Sequence, residues 1–344
     1  MKIPIKTWAA LSTAAITSFA AIAQQPESAA NDGDLLQDAR EVLGALAPSP
    51  NGSELTPAAE LGRALFWDPR ISADGATSCA SCHLAQDGGA DQRRFSLDAR
   101  GKLTQRNSQT VFNAMQQPAL RWTGDRKSGA HQAERSLTGS MGFASAGDAV
   151  PRLRQSGYEP AFRKAWPSET DPVTPANYAS ALQTYQATLV TPSDFDRYLA
   201  GDTRALNPQQ KDGLRIFLNR GCADCHGGPL LGGTKIRKFG LEKPYWTATR
   251  SENRDAGLYE TSRKEEDRYR FRVSMLRNIA RTAPYFHDGS VSDLKEAVRV
   301  MAEVQLGDLL TDPEAEALVA FLQSLTGEVP AHYAPPAAAV GGLK

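Results

Sequence analysis

Cys79-Ala80-Ser81-Cys82-His83 returns later in the chain as Cys222-Ala223-Asp224-Cys225-His226. Each copy is a C-x-x-C-H run, the attachment signature of a c-type haem. The spacing has a chemical cause. Two thiols three positions apart each add to one porphyrin vinyl group, and the adjoining histidine then lies beneath the iron as an axial ligand. Together the copies use all 4 cysteines of the chain. The alternatives are a zinc site or a dithiol redox pair. Zinc draws its four ligands from neighbouring pairs, whereas these runs lie 143 positions apart. The reading adopted is two covalently bound haem c groups, held by Cys79, Cys82 and His83 and by Cys222, Cys225 and His226.

Outward from these runs the chain reads as mainly α. Residues 24–54 form a leader that is polar at first and then carries a short helix from Leu35 to about Leu46. Thr56-Pro57 opens a clearer helix, with threonine as N-cap and proline in the first turn, and it leads to the first haem run. Tyr178, Leu182, Tyr185 and Leu189 recur at the spacing of a buried helical stripe. Asn207-Pro208 caps the helix that runs into the second haem run. Helices from Ser292 and from Asp312-Pro313 close the fold, with Gly327 as the last stop. The plan of helix, C-x-x-C-H, loops and helices thus occurs twice. Residues 55–200 make an N-terminal cytochrome c-like domain and residues 201–329 a C-terminal one. Residues 330–344, rich in Ala, Pro and Gly, are expected to be a disordered tail. Residues 249–270 are dense in charge and are expected to be solvated.

The 344 residues carry a formal net charge of zero, which favours neither nucleic acid nor an anionic membrane as partner. Residues 1–23 read as a secretory signal: Lys2 and Lys6, an apolar stretch from Trp8 to Ile22, and a small-x-small cleavage site at Ala21-Ile22-Ala23. An uncleaved anchor is the alternative, but the stretch is short and rich in Ser, Thr and Ala, so no stable membrane insertion is expected. Export agrees with haem attachment, which takes place outside the cytoplasm, and a periplasmic location follows.

Of the 5 histidines, His83 and His226 are proximal ligands, leaving His131, His287 and His332. Opposite His226, Met301 on an amphipathic helix would give a saturated electron-transfer centre of raised potential. A core methionine is the competing reading of Met301, and His287 the competing ligand. No histidine stands between His83 and His131. The first iron is therefore either open and reactive, or closed by His131, Met115 or Met141.

The chain resembles the bacterial di-haem cytochrome c peroxidase family, which includes the MauG-type enzymes. Matching stretches run from Leu61 to Arg70, Arg106 to Ala114, Arg121 to Arg126, Leu276 to Ile279, Thr282 to Gly289 and Gln305 to Gly307. The resemblance implies two cytochrome c-like haem domains packed with their haems toward a shared interface. It implies Met301 as ligand of the second, electron-transfer haem, where MauG has tyrosine. It implies Trp122 as electron relay, Gln132 in the peroxide pocket, and Asn107, Thr282 and Pro284 as holders of a calcium ion, the last two through backbone carbonyls. Two departures stand out. Position 99, where members needing reductive activation carry a histidine, is alanine. The pocket glutamate expected after Leu137-Thr138-Gly139 is replaced by Ser140-Met141-Gly142, and Glu134 is the nearby substitute.

The function implied is a cytochrome-c peroxidase-like oxidoreductase. It would reduce hydrogen peroxide to water with electrons from a small periplasmic cytochrome c or cupredoxin. The alternatives are a MauG-like oxidase of a protein or organic substrate, and a di-haem electron carrier without turnover. Family members are often dimers, so a homodimer is the assembly the resemblance implies.

Overall fold

A computed structural model describes residues 32–50 and 54–336. The expected signal segment 1–23, the start of the leader and residues 337–344 of the tail lie outside the described residues. The helices of the N-terminal half are α1 (Asp32–Val42), α2 (Pro57–Trp67), α3 (Gly129–Thr138), α4 (Ala149–Gln155), α5 (Glu159–Ala165) and α6 (Pro175–Ala187). Those of the C-terminal half are α7 (Asp194–Leu199), α8 (Pro208–Asn219), α9 (Cys222–His226), α10 (Tyr245–Ala248), α11 (Tyr259–Ser262), α12 (Leu294–Met301) and α13 (Asp312–Ser324). One short antiparallel ribbon joins β1 (Ile236–Lys238) to β2 (Arg270–Arg272), with Ile236 opposite Arg272. Three-residue strands are too short to leave an alternating pattern in the sequence.

Local chemistry sets the helix starts. Thr56 Oγ1 accepts from the Ala59 N–H at 3.2 Å, and Thr174 caps α6 in the same way. Asn207 and Gln210 form a reciprocal capping box at α8, as Thr311 and Glu314 do at α13. Gly157, at φ +82°, separates α4 from α5.

Two large apolar cores result beside a small cluster of Tyr285, Val291 and Ala297, and each large core is built on one close helix crossing. In the first, α2 crosses α6 at Gly62, where a Cβ would lie 2.0 Å from the Ala181 carbonyl oxygen. In the second, α8 crosses α13 at Gly213, where a Cβ would lie 1.9 Å from the Ala317 carbonyl oxygen. Only glycine admits such an approach. Leu61, Leu65 and Phe66 of α2 pack with Tyr178, Leu182 and Tyr185 of α6, while Leu214 and Phe217 of α8 pack with Leu318, Phe321 and Leu322 of α13.

The chain ends depart from the expected boundaries. Leu35, Ala39 and Leu43, read as leader, belong to the second core, as do Phe195, Tyr198 and Leu199 of α7. Residues 330–336, read as disordered tail, recross to the first half and bury Tyr333 in that core. The aromatic and apolar side chains, not the surrounding Ala and Pro, decide this. Residues 249–270 differ too. Only half are exposed, while Thr249, Ser251, Asp255 and Gly257 are buried, and Asp255 receives two hydrogen bonds from Arg106 of the other half, at 2.6 and 2.7 Å.

Candidate active site

The first C-x-x-C-H run forms a 3₁₀ turn at Cys79–Ser81 and the second forms α9. Burial pushes the Cys79 thiol up to about 12 and the Cys222 thiol up to about 11, so both stay neutral. That is opposite to the lowered thiol of a reactive dithiol. Burial likewise lowers the pKa of both proximal imidazoles, favouring the neutral form that ligates iron. Nδ1 of His83 lies 3.0 Å from the Gly89 carbonyl, and Nδ1 of His226 lies 3.1 Å from the Leu231 carbonyl. Each carbonyl selects the Nδ1–H tautomer and leaves Nε2 as the ligating atom. The donor set therefore fits a c-type haem twice.

Around the second run the fit extends to the cavity. A largely apolar space of about 250 Å³ is bordered by Cys222, Cys225 and His226 and, from α12, by Met301. At Met301 the backbone passes from α-helix into a π-turn, Ala302–Leu306. Such turns recur at functional sites because they re-aim the last α-helical side chains. Gln305 fixes this turn: its Oε1 accepts from the Gly240 and Leu241 N–H groups, and its Nε2 donates to the Lys238 carbonyl at 3.1 Å. His287 also borders the cavity. Its imidazole stacks on Phe271 at 4.3 Å, and its Nε2, which has no hydrogen-bond partner, lies 3.9 Å from Asp255.

The same cavity reaches the first half through Asn107 and Trp122. The Trp122 indole donates to the Asn107 carbonyl at 2.8 Å, and the Trp122 carbonyl accepts from the Arg272 N–H at 2.6 Å. Thr282 and Pro284 border the cavity as well. The Asn107 amide donates to the carbonyls of Arg93 and Arg94. Among the described residues, no cluster of three or more His, Cys, Asp or Glu is arranged to hold a metal ion.

Sequence reasoning missed Arg272. Its guanidinium is buried and donates only to neutral acceptors, the Arg121 carbonyl and the side chains of Gln109 and Gln117. Burial brings its pKa down to about 10. It pins the Trp122 loop to β2, and nothing in the local pattern around Phe271-Arg272 signals that long-range role.

Around the first run, Tyr178 lies beside both Cys79 and Ser136. Gln132 stands one helical turn before Ser136 on the same face of α3. Gln132 Oε1 is buried without a partner in the protein, and the Tyr178 hydroxyl is buried close to the Ser136 side chain. Glu134 is exposed. Met141 is buried in the first core, and His131 Nδ1 accepts from the Lys127 N–H at 3.4 Å.

The two sequence departures meet in space. The Ala99 N–H donates to the Ser140 carbonyl at 2.8 Å. A Cβ on Gly142 would lie 3.0 Å from the Ala99 side chain. Arg100 adds hydrogen bonds to the carbonyls of Thr138, at 3.3 Å, and Gly139, at 2.8 Å. The loop that could carry a histidine and the turn that could carry an acid are thus fastened together.

The comparisons with known proteins agree with this geometry. The sequence profile of the family described as di-haem cytochrome c peroxidase matches residues 56–204. The chain is 44% identical over 275 residues to cytochrome c551 peroxidase of Pseudomonas aeruginosa, covering 79% of each protein. It is 37% identical over 287 residues to cytochrome c551 peroxidase of Nitrosomonas europaea, covering 83% of each. The solved structure of a MauG-like protein associated with microbial copper homeostasis superposes with a TM-score of 0.72 at 25% identity, over 85% of this chain and 97% of that one. With two haem attachment runs on two cytochrome-like cores, this chain belongs to the di-haem cytochrome c peroxidase family.

Proposed function

We propose that this chain reduces hydrogen peroxide to water at the first haem, with electrons from a small periplasmic cytochrome c or cupredoxin entering at the second. The observation that carries this reading is the cavity bordered by His226 and Met301 that also reaches Trp122 and Asn107 of the other half. When bound, each haem supplies a one-electron centre, and the one whose iron keeps a free position supplies the site for peroxide.

The residues divide the remaining work. Met301, with His226, would hold the second haem and confine it to electron transfer. Trp122, held at both its indole and its backbone, stands between the halves as the relay. Gln132 and Tyr178 offer polar groups to orient peroxide. The reduction needs two electrons and two protons for each peroxide, and a serine at position 140 is a poor general acid at neutral pH. Proton delivery therefore falls to solvent, and turnover is slower than a positioned carboxylate allows. Asn107, with the backbone carbonyls of Thr282 and Pro284, offers neutral oxygen ligands suited to a calcium ion between the halves.

Optical and EPR spectra of the ferric and half-reduced holoprotein, followed by peroxide turnover with a reduced cytochrome, test this reading. A high-spin first haem with turnover is expected. Two low-spin haems without turnover would overturn it in favour of an electron carrier. The joined departures at Ala99 and Ser140 favour a second reading, a MauG-like oxidase, which predicts oxidation of an organic substrate rather than of a cytochrome. Ser140→Glu should raise peroxide turnover by ~100-fold, the lower end of what a positioned acid supplies. Chelation should alter the spin state if calcium is held.

A further inference from the structure

The two chain ends are exchanged between the halves. At the second run, the Gly228 N–H donates to the carbonyl of Val42, at the end of α1, at 3.0 Å. At the first run, the C-terminal strap does the corresponding work. Tyr333 is only 4% exposed, and its hydroxyl donates to the backbone carbonyl of His83. Its ring packs edge-on against Phe112 at 4.8 Å and Trp67 at 5.3 Å, and against Phe66 at 5.7 Å. Phe66 in turn lies 6.4 Å from the His83 imidazole.

The strap is anchored on both sides of this tyrosine. Arg63 donates to the Ala334 carbonyl at 2.8 Å. On the other side, the His332 ring pairs with Thr188 Oγ1 at 2.9 Å, and the Tyr185 hydroxyl donates to the His332 carbonyl at 3.3 Å. Trp67 extends the network by donating to the Tyr185 hydroxyl at 3.5 Å.

We infer that Tyr333 is a positioning residue for the first haem, holding the backbone of its proximal histidine from the opposite end of the chain. Two effects combine. The hydrogen bond fixes the point where the attachment run ends and the His83 ring is hung. The ring itself, wedged among three aromatic side chains, shields that side of the site from water. An iron site more exposed to water favours the more highly charged ferric state, so the strap raises the first haem's potential. Turnover would then depend on a segment that lies outside both haem runs.

The inference rests on His83 as the first haem's ligand, and haem content separates the two: loss of one haem per chain in the unaltered protein would fail that reading instead. The test compares the holoenzyme with Tyr333→Phe and with a chain ending at Val329. Resonance Raman reads the iron–histidine band of the reduced first haem, and spectroelectrochemical titration reads both midpoints. Tyr333→Phe should shift the first haem's band and leave the second haem untouched. Truncation should also lower the first midpoint, because the shielding ring is removed as well. Arg63→Met, which releases the strap without touching His83, should make the C-terminus protease-sensitive and shift the band in the same direction. Wild-type values at the first haem in Tyr333→Phe, or equal shifts at both haems, would overturn the inference. So would a released strap in Arg63→Met with an unchanged band. Should the truncated chain not fold, Tyr333→Phe and Arg63→Met decide the matter.

Discussion

The two halves of the molecule share a plan and part at the iron. In each, a capped helix crosses a partner at a glycine, Gly62 over Ala181 and Gly213 over Ala317, and leads into a C-x-x-C-H run. In each, a backbone carbonyl fixes the proximal imidazole, at 3.0 and 3.1 Å. Beyond that the halves diverge. The second places a thioether, Met301, on the cavity wall, whereas the first places Ser140 and Ala99 on the joined loop and turn. The crossings and attachment runs make the halves alike, and Met301 in one against Ser140 and Ala99 in the other makes them differ.

The largest effect should come from breaking the joint between the halves. Arg106 and Asp255, 13% and 5% exposed, form an ion pair across it, and Arg106 also lies over the Phe271 ring. Removing one partner of a buried pair costs about 3–5 kcal/mol. Asp255→Asn should lose about that much in denaturant unfolding and uncouple the unfolding of the halves. Burial alone would raise the Asp255 pKa, but the hydrogen bonds and charge of Arg106 outweigh it and hold the carboxyl below its ordinary value of 3.8. The pair's contribution is therefore fully present above about pH 4 and is lost as pH falls through the lowered folded value. The stability gap between wild type and variant should close over that acid range. A gap that persisted there would show that the joint rests on packing alone.

Little of that joint was legible in the sequence. The haem runs, the capped helices and the apolar stripe were, because each is set by residues within a few turns of one another. Asp255 lies in a charge-dense stretch, and only its distant partner Arg106 distinguishes it from solvated neighbours. Arg272 and Tyr333 were hidden for the same reason, since their partners at Trp122 and His83 are fixed by tertiary structure. The tail's composition argued for disorder, and one buried tyrosine overrode it. Met301 was visible as a helical methionine, but only the fold shows that it borders the same cavity as His226.

A smaller effect tests the asymmetry at the iron. Met301→Leu keeps the volume of the side chain and removes the sulfur. If Met301 ligates the second iron, that haem's midpoint should fall by on the order of 0.1 V, because axial-ligand identity is a main lever on haem potential. The first haem should keep its spectrum. An unchanged second midpoint would remove Met301 as ligand and return His287 to consideration.

The smallest effect tests the shared plan. Gly62→Ala and Gly213→Ala each add one methyl at a helix crossing. In an exposed helix that change is favourable by about 1 kcal/mol, from backbone entropy and propensity. Here the new carbon would meet a carbonyl oxygen at 2.0 or 1.9 Å, with the Cβ of Tyr185 or Phe321 at 2.8 Å behind it. The helices must separate, and overpacking of this kind costs about 1–3 kcal/mol. The two terms oppose each other, so each variant should lose up to about 2 kcal/mol net in denaturant unfolding. The stability losses should be alike, because the two crossings are alike. The spectroscopic consequences should not be. Gly62→Ala moves α2, which carries Phe66 against His83 and Tyr333, and should perturb the first haem alone. Gly213→Ala moves α8, which runs into α9, and should perturb the second alone. Perturbation of both haems by either variant would mean that the halves answer as one unit, joined through Arg106 and the exchanged chain ends.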